Sequence, residues 1–130
     1  MNVLFVCTEN AGRSQIAEHL FNAAAPDHHR ARSAGTHPRD EVYADVVRSL
    51  SRRGVDASGA EPKPLSPDLL EWADRVVTMG CGDECPVTGK PTEDWALDDV
   101  RGASPDGVER IVEEIESRLG RLFRELEPST

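Results

Sequence analysis

Short apolar runs alternate along this chain with longer stretches whose apolar residues recur every three or four positions. Val3 to Val6 is one such run, with the composition of a strand buried on both faces, and Arg75 to Met79 is another. We expect a weaker strand from Ala31 to Ala34. Strands that alternate with helices predict a parallel sheet with helices on both faces, a doubly wound α/β fold.

Helix signals fill the stretches between these runs. Ser104-Pro105 is a start signal for the longest helix, and Ser66-Pro67 is typical of the first residues of a short one. Gly54 stands where the C-terminal cap of another helix would fall. The apolar positions with helical spacing form three groups: Ile16, Ala17, Leu20, Phe21 and Ala24; Val42, Val46, Val47 and Leu50; and Val108, Ile111, Val112, Ile115, Leu119, Leu122, Phe123 and Leu126.

The length of the chain and its even composition predict one domain. A chain of 130 residues lies near the usual single-domain size and can bury roughly two-thirds of the surface of its unfolded form. The sequence contains no internal repeat, linker or low-complexity segment. We therefore expect residues 1–130 to form a single domain.

The charge balance excludes several classes of partner. With 24 Asp and Glu against 15 Lys and Arg, the formal net charge at pH 7 is −9. Nucleic acids and anionic membranes require a positive protein surface that replaces counterions, so neither is an expected partner. Lys63 and Lys90 are the only lysines. An acidic, lysine-poor composition suggests a halophilic habitat, where salt screens charge repulsion within about 3 Å at 1 M.

The cysteine count and the N-terminal sequence bear on the compartment. No apolar run approaches the roughly 20 residues of a membrane span, and the first residues lack the length and the basic flank of a signal peptide. We therefore expect a cytoplasmic protein whose three cysteines, Cys7, Cys81 and Cys85, are mostly reduced. In that setting three cysteines indicate packing, metal ligation or redox chemistry rather than a disulfide scaffold.

A loop with the chemistry of an oxyanion site follows the first strand. Cys7 ends that strand, five residues follow, and Arg13 and Ser14 begin the next helix. Ligands bind at strand carboxyl ends in such sheets, and a helix N-terminus offers free N–H groups with a partial positive charge. Arg13 adds a planar fork for two oxygens of a tetrahedral anion, and the same field favours the thiolate form of Cys7. The structural alternative is a small core cysteine, a surface arginine and an ordinary helix cap at Ser14.

The residues from Val6 to Gln15 resemble the phosphate-binding loop of low-molecular-weight protein tyrosine phosphatases and of the arsenate reductases that share their fold. The likeness extends along nearly the whole chain, over residues 33–36, 54–56, 62–65, 73–79 and 95–99. It implies a single three-layer domain whose four-stranded parallel sheet carries helices on both faces. It also implies an enzyme that needs no cofactor and binds an oxyanion through Thr8, Glu9, Asn10, Ala11, Gly12 and Arg13.

The segment after the third strand points to one branch of this superfamily. Arsenate reductases of the thioredoxin-coupled kind are similar to this chain in placing two redox cysteines there, which here are Cys81 and Cys85, and Gly80 and Gly82 give the segment freedom. The resemblance implies that Cys7 attacks arsenate, that Cys81 attacks the adduct, and that Cys85 carries the oxidation to an exposed Cys81–Cys85 disulfide. A thioredoxin- or glutaredoxin-like partner would reduce this disulfide by exchange. Because Cys-x3-Cys spacing is short, closing the bond is expected to need local rearrangement.

Asp98-Asp99 supplies the candidate general acid. Relatives place an Asp before a Pro in this loop, and position matching selects Asp99, with Val100 in place of that Pro. Protonation of the leaving oxygen by such a group is typically worth about 10²–10⁴-fold in rate. The alternative is a solvated acidic turn. Ser14 is expected to donate a hydrogen bond to the Cys7 thiolate.

Two loop positions depart from the family's pattern. Gly12 stands where the phosphatases usually have a second Cys, and Glu9 stands at a position that is often Gly. A carboxylate inside an anion-binding loop is unfavourable unless it points to water. Asn10 matches the family residue that holds the unusual backbone of the loop.

Some reductases of this family also bind potassium near the loop, and Asn10, Glu18 and Ser33 match the residues described for that site. No other metal site is expected. The histidines have no ligand spacing and are expected at the surface: His19, His28, His29 and His37.

Two other functions remain open on the sequence alone. A tyrosine phosphatase would use Cys7, Arg13 and Asp99 without the cysteine pair, although one Tyr and two Trp leave few aromatic side chains to hold an aromatic substrate. A redox-sensing binding module would switch the affinity of a partner through a Cys81–Cys85 disulfide, with Asp83-Glu84 as a contact.

Overall fold

The computed structural model describes residues 1–26, 28–81, 85–86 and 88–126. Among these residues, no helix combines the length and the apolar character that crossing a membrane requires. The helices and strands follow one another in this order: β1 (Asn2–Cys7), α1 (Arg13–Ala24), β2 (Arg30–Gly35), α2 (Ala44–Arg52), α3 (Pro67–Trp72), β3 (Arg75–Thr78), β4 (Thr92–Asp94) and α4 (Pro105–Leu126).

The four strands pair in parallel in the order β2-β1-β3-β4. The register sets Cys7 beside Gly35 and Val6 beside Thr78, so the carboxyl ends of β1, β2 and β3 meet at one edge of the sheet. In open α/β sheets ligands bind at this edge. The candidate nucleophile therefore ends the central strand at the edge where such folds bind their ligands.

Helices cover both faces of the sheet, and β1 shows why. Its alternate side chains enter two separate apolar clusters. Val3, Phe5 and Cys7 pack with α1, α2 and α4, whereas Leu4 and Val6 pack beneath α3. A strand buried on both faces requires the unbroken apolar run that the sequence has at this point. The predicted α/β architecture, with four parallel strands and helices on both faces, is confirmed.

Capping residues lie at the start of α3 and after the end of α2, where the sequence predicts them. Ser66 Oγ accepts a hydrogen bond from the backbone amide of Leu69 at the start of α3. Gly54 follows α2 with φ at +76°, and the next amide, that of Val55, donates to the carbonyl oxygen of Leu50. This is the hydrogen bond of a Schellman cap, which glycine forms without steric strain.

The structure differs from the sequence-based expectations at three places. The strand Thr92–Asp94 has no apolar run to reveal it, because its side chains are exposed or half-buried at the edge of the sheet. Helix α2 begins at Ala44 and leaves Val42 outside it. The expected surface position of His29 is wrong, since its ring is buried with Nδ1 3.1 Å from the amino group of Met1.

Candidate active site

The loop between β1 and α1 turns four of its carbonyl oxygens toward the segment 36–43. The backbone amides of that segment donate to them, Thr36 to Cys7 (3.1 Å), His37 to Thr8 (2.7 Å), Arg39 to Glu9 (3.0 Å) and Tyr43 to Ala11 (3.1 Å). In a trans peptide the N–H points opposite to the C=O, so the amides of residues 8, 9, 10 and 12 point the other way, into the loop. Converging amides of this kind form a nest that holds an anion.

Cys7 is buried in this loop, and its Sγ has two hydrogen-bonding neighbours. Ser14 Oγ lies 2.8 Å away, and the backbone amide of Asn10 donates at 3.2 Å. Only 2% of Cys7 is exposed. Both neighbours would stabilise a thiolate at this place. Ser14 therefore lies where the sequence-based interpretation needs it.

Asn10 holds the loop in a left-handed turn. Its φ is +51°, a conformation that residues with short polar side chains tolerate. Its Nδ2 donates to Ser14 Oγ (2.7 Å), and its Oδ1 accepts from the backbone amide of Lys63 (2.8 Å) and from Gln15 Nε2 (3.1 Å). A chain of hydrogen bonds thus runs from Lys63 through Asn10 and Ser14 to Cys7.

The guanidinium of Arg13 is buried beside the loop. Its Nη2 lies 3.4 Å from the carboxylate of Asp99, and its Nη1 donates to the carbonyl oxygen of Leu97 at 3.4 Å. It packs so closely on Gly80 that a Cβ at that position would overlap Nη1. Gly80 also has φ at +84°, so both the space and the backbone require glycine. Arg13 therefore contacts both Asp99 and Gly80 beside the loop.

Cys81 and Cys85 form a disulfide next to this group. Their Cα atoms are 5.1 Å apart, within the usual range, so Cys-x3-Cys spacing accommodates the bond. Cys7 is not in a disulfide. Thr8 Oγ1 donates to the carbonyl oxygen of Gly80 at 3.4 Å, which ties the loop to the residue before Cys81. Three residues named for this segment lie outside the described part of the chain: Gly82, Asp83 and Glu84.

The disulfide is less exposed than the sequence analysis expects. Cys81 is 7% exposed and Cys85 is half-buried. Both pack with the apolar cluster of Leu4 and Val6 beneath α3. The expectation of an exposed disulfide is therefore wrong for Cys81, whereas Cys85 keeps part of its surface exposed.

The carboxylate of Glu9 is partly exposed and contacts two protein groups. The hydroxyl of Tyr43 donates to Glu9 Oε1 at 2.8 Å, and Arg39 Nη1 lies 3.8 Å from Glu9 Oε2. Burial of the hydroxyl and its hydrogen bond to Glu9 raise the pKa of Tyr43 above its ordinary value, so the tyrosine keeps its proton. The negative charge of Glu9 is thus balanced locally by a donor and a cation.

The sequence of the chain matches a known family nearly from end to end. The family model described as low molecular weight phosphotyrosine protein phosphatase matches residues 2–129. The chain belongs to this family. Both its reductases and its phosphatases are similar to the chain in fold.

Among solved structures, the chain is similar to a thioredoxin-dependent arsenate reductase of Corynebacterium glutamicum. The two are 43% identical with a TM-score of 0.86, and the match covers 99% of this chain but only 63% of that protein's length. An arsenate reductase from Archaeoglobus fulgidus is 37% identical, with 93% of this chain and 98% of that one covered and a TM-score of 0.79. A low molecular weight protein tyrosine phosphatase from T. tengcongensis is 26% identical, with 96% and 99% covered and a TM-score of 0.87.

Two departures from the family's pattern fit each other in space. Gly12 replaces the second cysteine of the phosphatase loop, and Val100 replaces the Pro that follows the candidate acid. A Cβ on Gly12 would overlap Val100 Cγ2. Because the buried side chain of Val100 fills the space that a side chain at position 12 would need, the segment carrying Asp99 lies directly against the loop.

The three residues predicted for potassium lie in one hydrogen-bonded group. Ser33 Oγ donates to Glu18 Oε1 at 2.9 Å, and the ammonium of Lys63 lies 3.4 Å from the same oxygen. The backbone amide of Lys63 bonds Asn10, so one lysine contacts two of the three residues. Within the described ranges, no group of three or more His, Cys, Asp or Glu side chains could hold a metal ion.

Several residues that hold the loop have no predicted role in the sequence. Gln15 is fully buried and its Nε2 donates to the carbonyl oxygens of Asn10 and Glu61. The one sequence signal for Gln15 is its position on α1, directly before the apolar residues Ile16 and Ala17. Lys63 and Tyr43 reach the loop from distant parts of the sequence, and no local pattern marks them.

Proposed function

We propose that this protein reduces arsenate to arsenite with electrons from its own cysteines. The observation that carries the proposal is a Cys81–Cys85 disulfide beside an oxyanion loop whose Cys7 is free. A phosphatase needs the loop alone, whereas reduction of arsenate needs two electrons, which two thiols supply when they form a disulfide. Two of the similar proteins are arsenate reductases, one of them thioredoxin-dependent.

In the first step the Cys7 thiolate attacks arsenic. The amides of loop residues 8–13 and the guanidinium of Arg13 hold the oxyanion, while Ser14 Oγ, 2.8 Å from Sγ, stabilises the thiolate. Asp99, 3.4 Å from Arg13, protonates the oxygen that leaves as water. A sulfur–arsenic bond replaces an arsenic–oxygen bond, and arsenic remains As(V).

The electrons move in the second step. The Cys81 thiolate attacks Sγ of Cys7, the sulfur–arsenic bond breaks, and its electron pair stays on arsenic. As(V) becomes As(III), arsenite leaves, and Cys7 and Cys81 are joined by a disulfide. The contacts of Gly80 with Thr8 and Arg13 support this step, because they hold the residue before Cys81 against the loop.

The third step returns Cys7 to its thiolate. The Cys85 thiolate attacks Cys81 and forms the Cys81–Cys85 disulfide, which is the bonding found in the structure. A thioredoxin- or glutaredoxin-like dithiol protein then reduces this bond by exchange and is itself oxidised. Because this cycle needs a reducing compartment, we place the protein in the cytoplasm. The charge of −9 supports a cytoplasm of high ionic strength.

Arsenate-dependent oxidation of NADPH, coupled through thioredoxin and thioredoxin reductase, tests the proposal. Wild-type protein is expected to turn over, and Cys81→Ser is expected to release no arsenite. Cys85→Ser should release one arsenite per protein and then stop as the Cys7–Cys81 disulfide. Hydrolysis of a small aryl phosphate should persist in both variants, because the loop is intact. Undiminished arsenate turnover in Cys81→Ser would overturn the three-cysteine relay.

A further inference from the structure

Three polar side chains at the oxyanion loop have no part in the proposed reaction. We name Glu9, Arg39 and Tyr43 the rim triad. The hydroxyl of Tyr43 donates to Glu9 Oε1 at 2.8 Å and accepts from Arg39 Nη1 at 3.1 Å. Arg39 Nη1 also lies 3.8 Å from Glu9 Oε2. Each member thus contacts both others, and the hydroxyl of the tyrosine has a fixed position.

The rim triad lies against the loop. The backbone amides of Arg39 and Tyr43 donate to loop carbonyl oxygens at 3.0 and 3.1 Å. The side chains of both residues also contact the carboxylate of Glu9, a residue of the loop itself. Arg39 and Tyr43 are therefore held at the loop by their backbones and by their side chains.

One face of the Tyr43 ring is already covered. The central carbon of the Arg39 guanidinium lies 4.6 Å from the ring centroid, the geometry of a cation–π contact. An aryl phosphate gains affinity when its ring stacks on an aromatic side chain beside the loop, and that gain requires a free face. Stacking here requires Arg39 to leave both the ring and Glu9. A small inorganic oxyanion requires only the loop amides and Arg13.

We propose that the rim triad is a specificity determinant, which favours small inorganic oxyanions over aryl phosphate esters at this loop. The inference rests on the proposed function, since it restricts the substrate class of the same site. In this proposal the carboxylate of Glu9 holds the guanidinium of Arg39 over the ring of Tyr43. The aromatic side chain thereby lies beside the loop with the face under Arg39 closed to a substrate ring.

Calorimetric titration with inorganic phosphate and with phenyl phosphate tests the inference, in proteins that carry Cys7→Ser so that neither ligand is turned over. Arg39→Ala uncovers the ring. It should strengthen phenyl phosphate binding relative to inorganic phosphate by roughly threefold to tenfold, the range of one aromatic stacking contact. Arg39→Lys keeps the charge without the planar group and should shift the ratio less. Glu9→Gln removes the charge that holds Arg39 over the ring, so it should shift the ratio in the same direction as Arg39→Ala but by a smaller factor.

Arg48→Ala is the matched control, because Arg48 is an exposed arginine of α2 that pairs with Asp45, and it should change neither affinity. The inference is overturned if Arg39→Ala changes both affinities by one factor. It is also overturned if the Cys7→Ser protein with an intact rim triad binds phenyl phosphate as tightly as inorganic phosphate. The titrations use neither arsenate nor Cys81, so failure of the proposed relay is detected separately, in the NADPH-coupled assay.

Discussion

Replacing Gly12 by alanine would place a methyl group inside the side chain of Val100. A Cβ at this position overlaps Val100 Cγ2 and lies 3.4 Å from Val100 Cβ and Cγ1. Val100 is only 4% exposed, so its side chain has no open space in which to move. The φ of Gly12 is −135°, outside the left-handed region that favours glycine.

The magnitude follows from the overlap. Overpacking a buried site costs about 1–3 kcal/mol. We expect Gly12→Ala to lower the free energy of unfolding by about 1–3 kcal/mol, which for a chain of this size lowers Tm by roughly 4–11 °C. Because Asp99 precedes Val100, turnover should fall as its carboxylate moves away from Arg13.

A double-mutant cycle, measured by urea unfolding, isolates the contact. Val100→Ala alone removes two buried methyl groups and should cost about 2 kcal/mol. In the Gly12→Ala background it should cost about 1 kcal/mol less, because it also removes the overlap. Gly59→Ala is the control, since no atom lies within 4 Å of a Cβ there, and it should leave stability unchanged or slightly higher. Additivity of the two single effects within about 0.5 kcal/mol would refute the packing argument.

Three further substitutions test separate parts of the site. Asp99→Asn should slow arsenate reduction by about 10²–10⁴-fold, because the leaving oxygen loses its proton donor, and Asp98→Asn should slow it little; equal steady-state rates for the two variants would contradict the assignment. Lys63→Met removes the ammonium that lies 3.4 Å from Glu18, so a potassium ion can take its place beside that carboxylate. At one ionic strength the variant should therefore turn over faster in KCl than in NaCl, whereas wild-type rates should be equal in the two salts. Lys90→Met should lower the free energy of unfolding in urea by about 1–3 kcal/mol, because its ammonium donates to carbonyl oxygens at the end of α3, and an unchanged midpoint would count against this cap.

The sequence predicts those strands and helices whose burial requires a regular pattern of apolar residues. Strand β1 is apolar from Val3 to Cys7 because both of its faces are covered there, and α4 shows an apolar stripe because one face meets the core. Strand β4 could not be located in this way. Its residues, Thr92–Asp94, are held by pairing with β3 and by the bond from Thr78 Oγ1 to Asp94 Oδ1 at 2.7 Å, neither of which appears as local hydrophobicity.

The residues of the candidate site also fall into two groups, those that a local sequence pattern predicts and those that it does not. Cys7, Arg13 and Ser14 are close in sequence, so the strand-loop-helix pattern is enough to place them together. Lys63 and Tyr43 meet the loop through backbone bonds to Asn10 and Ala11, which depend on how the segments after β2 and α2 pack. Contacts of that range follow from tertiary packing, and a single sequence has no periodicity that encodes them.

Counting free thiols before and after arsenate tests the central claim most directly. Fully reduced protein, with three thiols and no external reductant, is mixed with excess arsenate, and both the remaining thiols and the released arsenite are measured. The relay predicts that two thiols disappear for each arsenite released, that one thiol remains, and that peptide mapping finds the disulfide between Cys81 and Cys85. Three thiols remaining after arsenate exposure, or arsenite released without loss of thiols, would contradict the account.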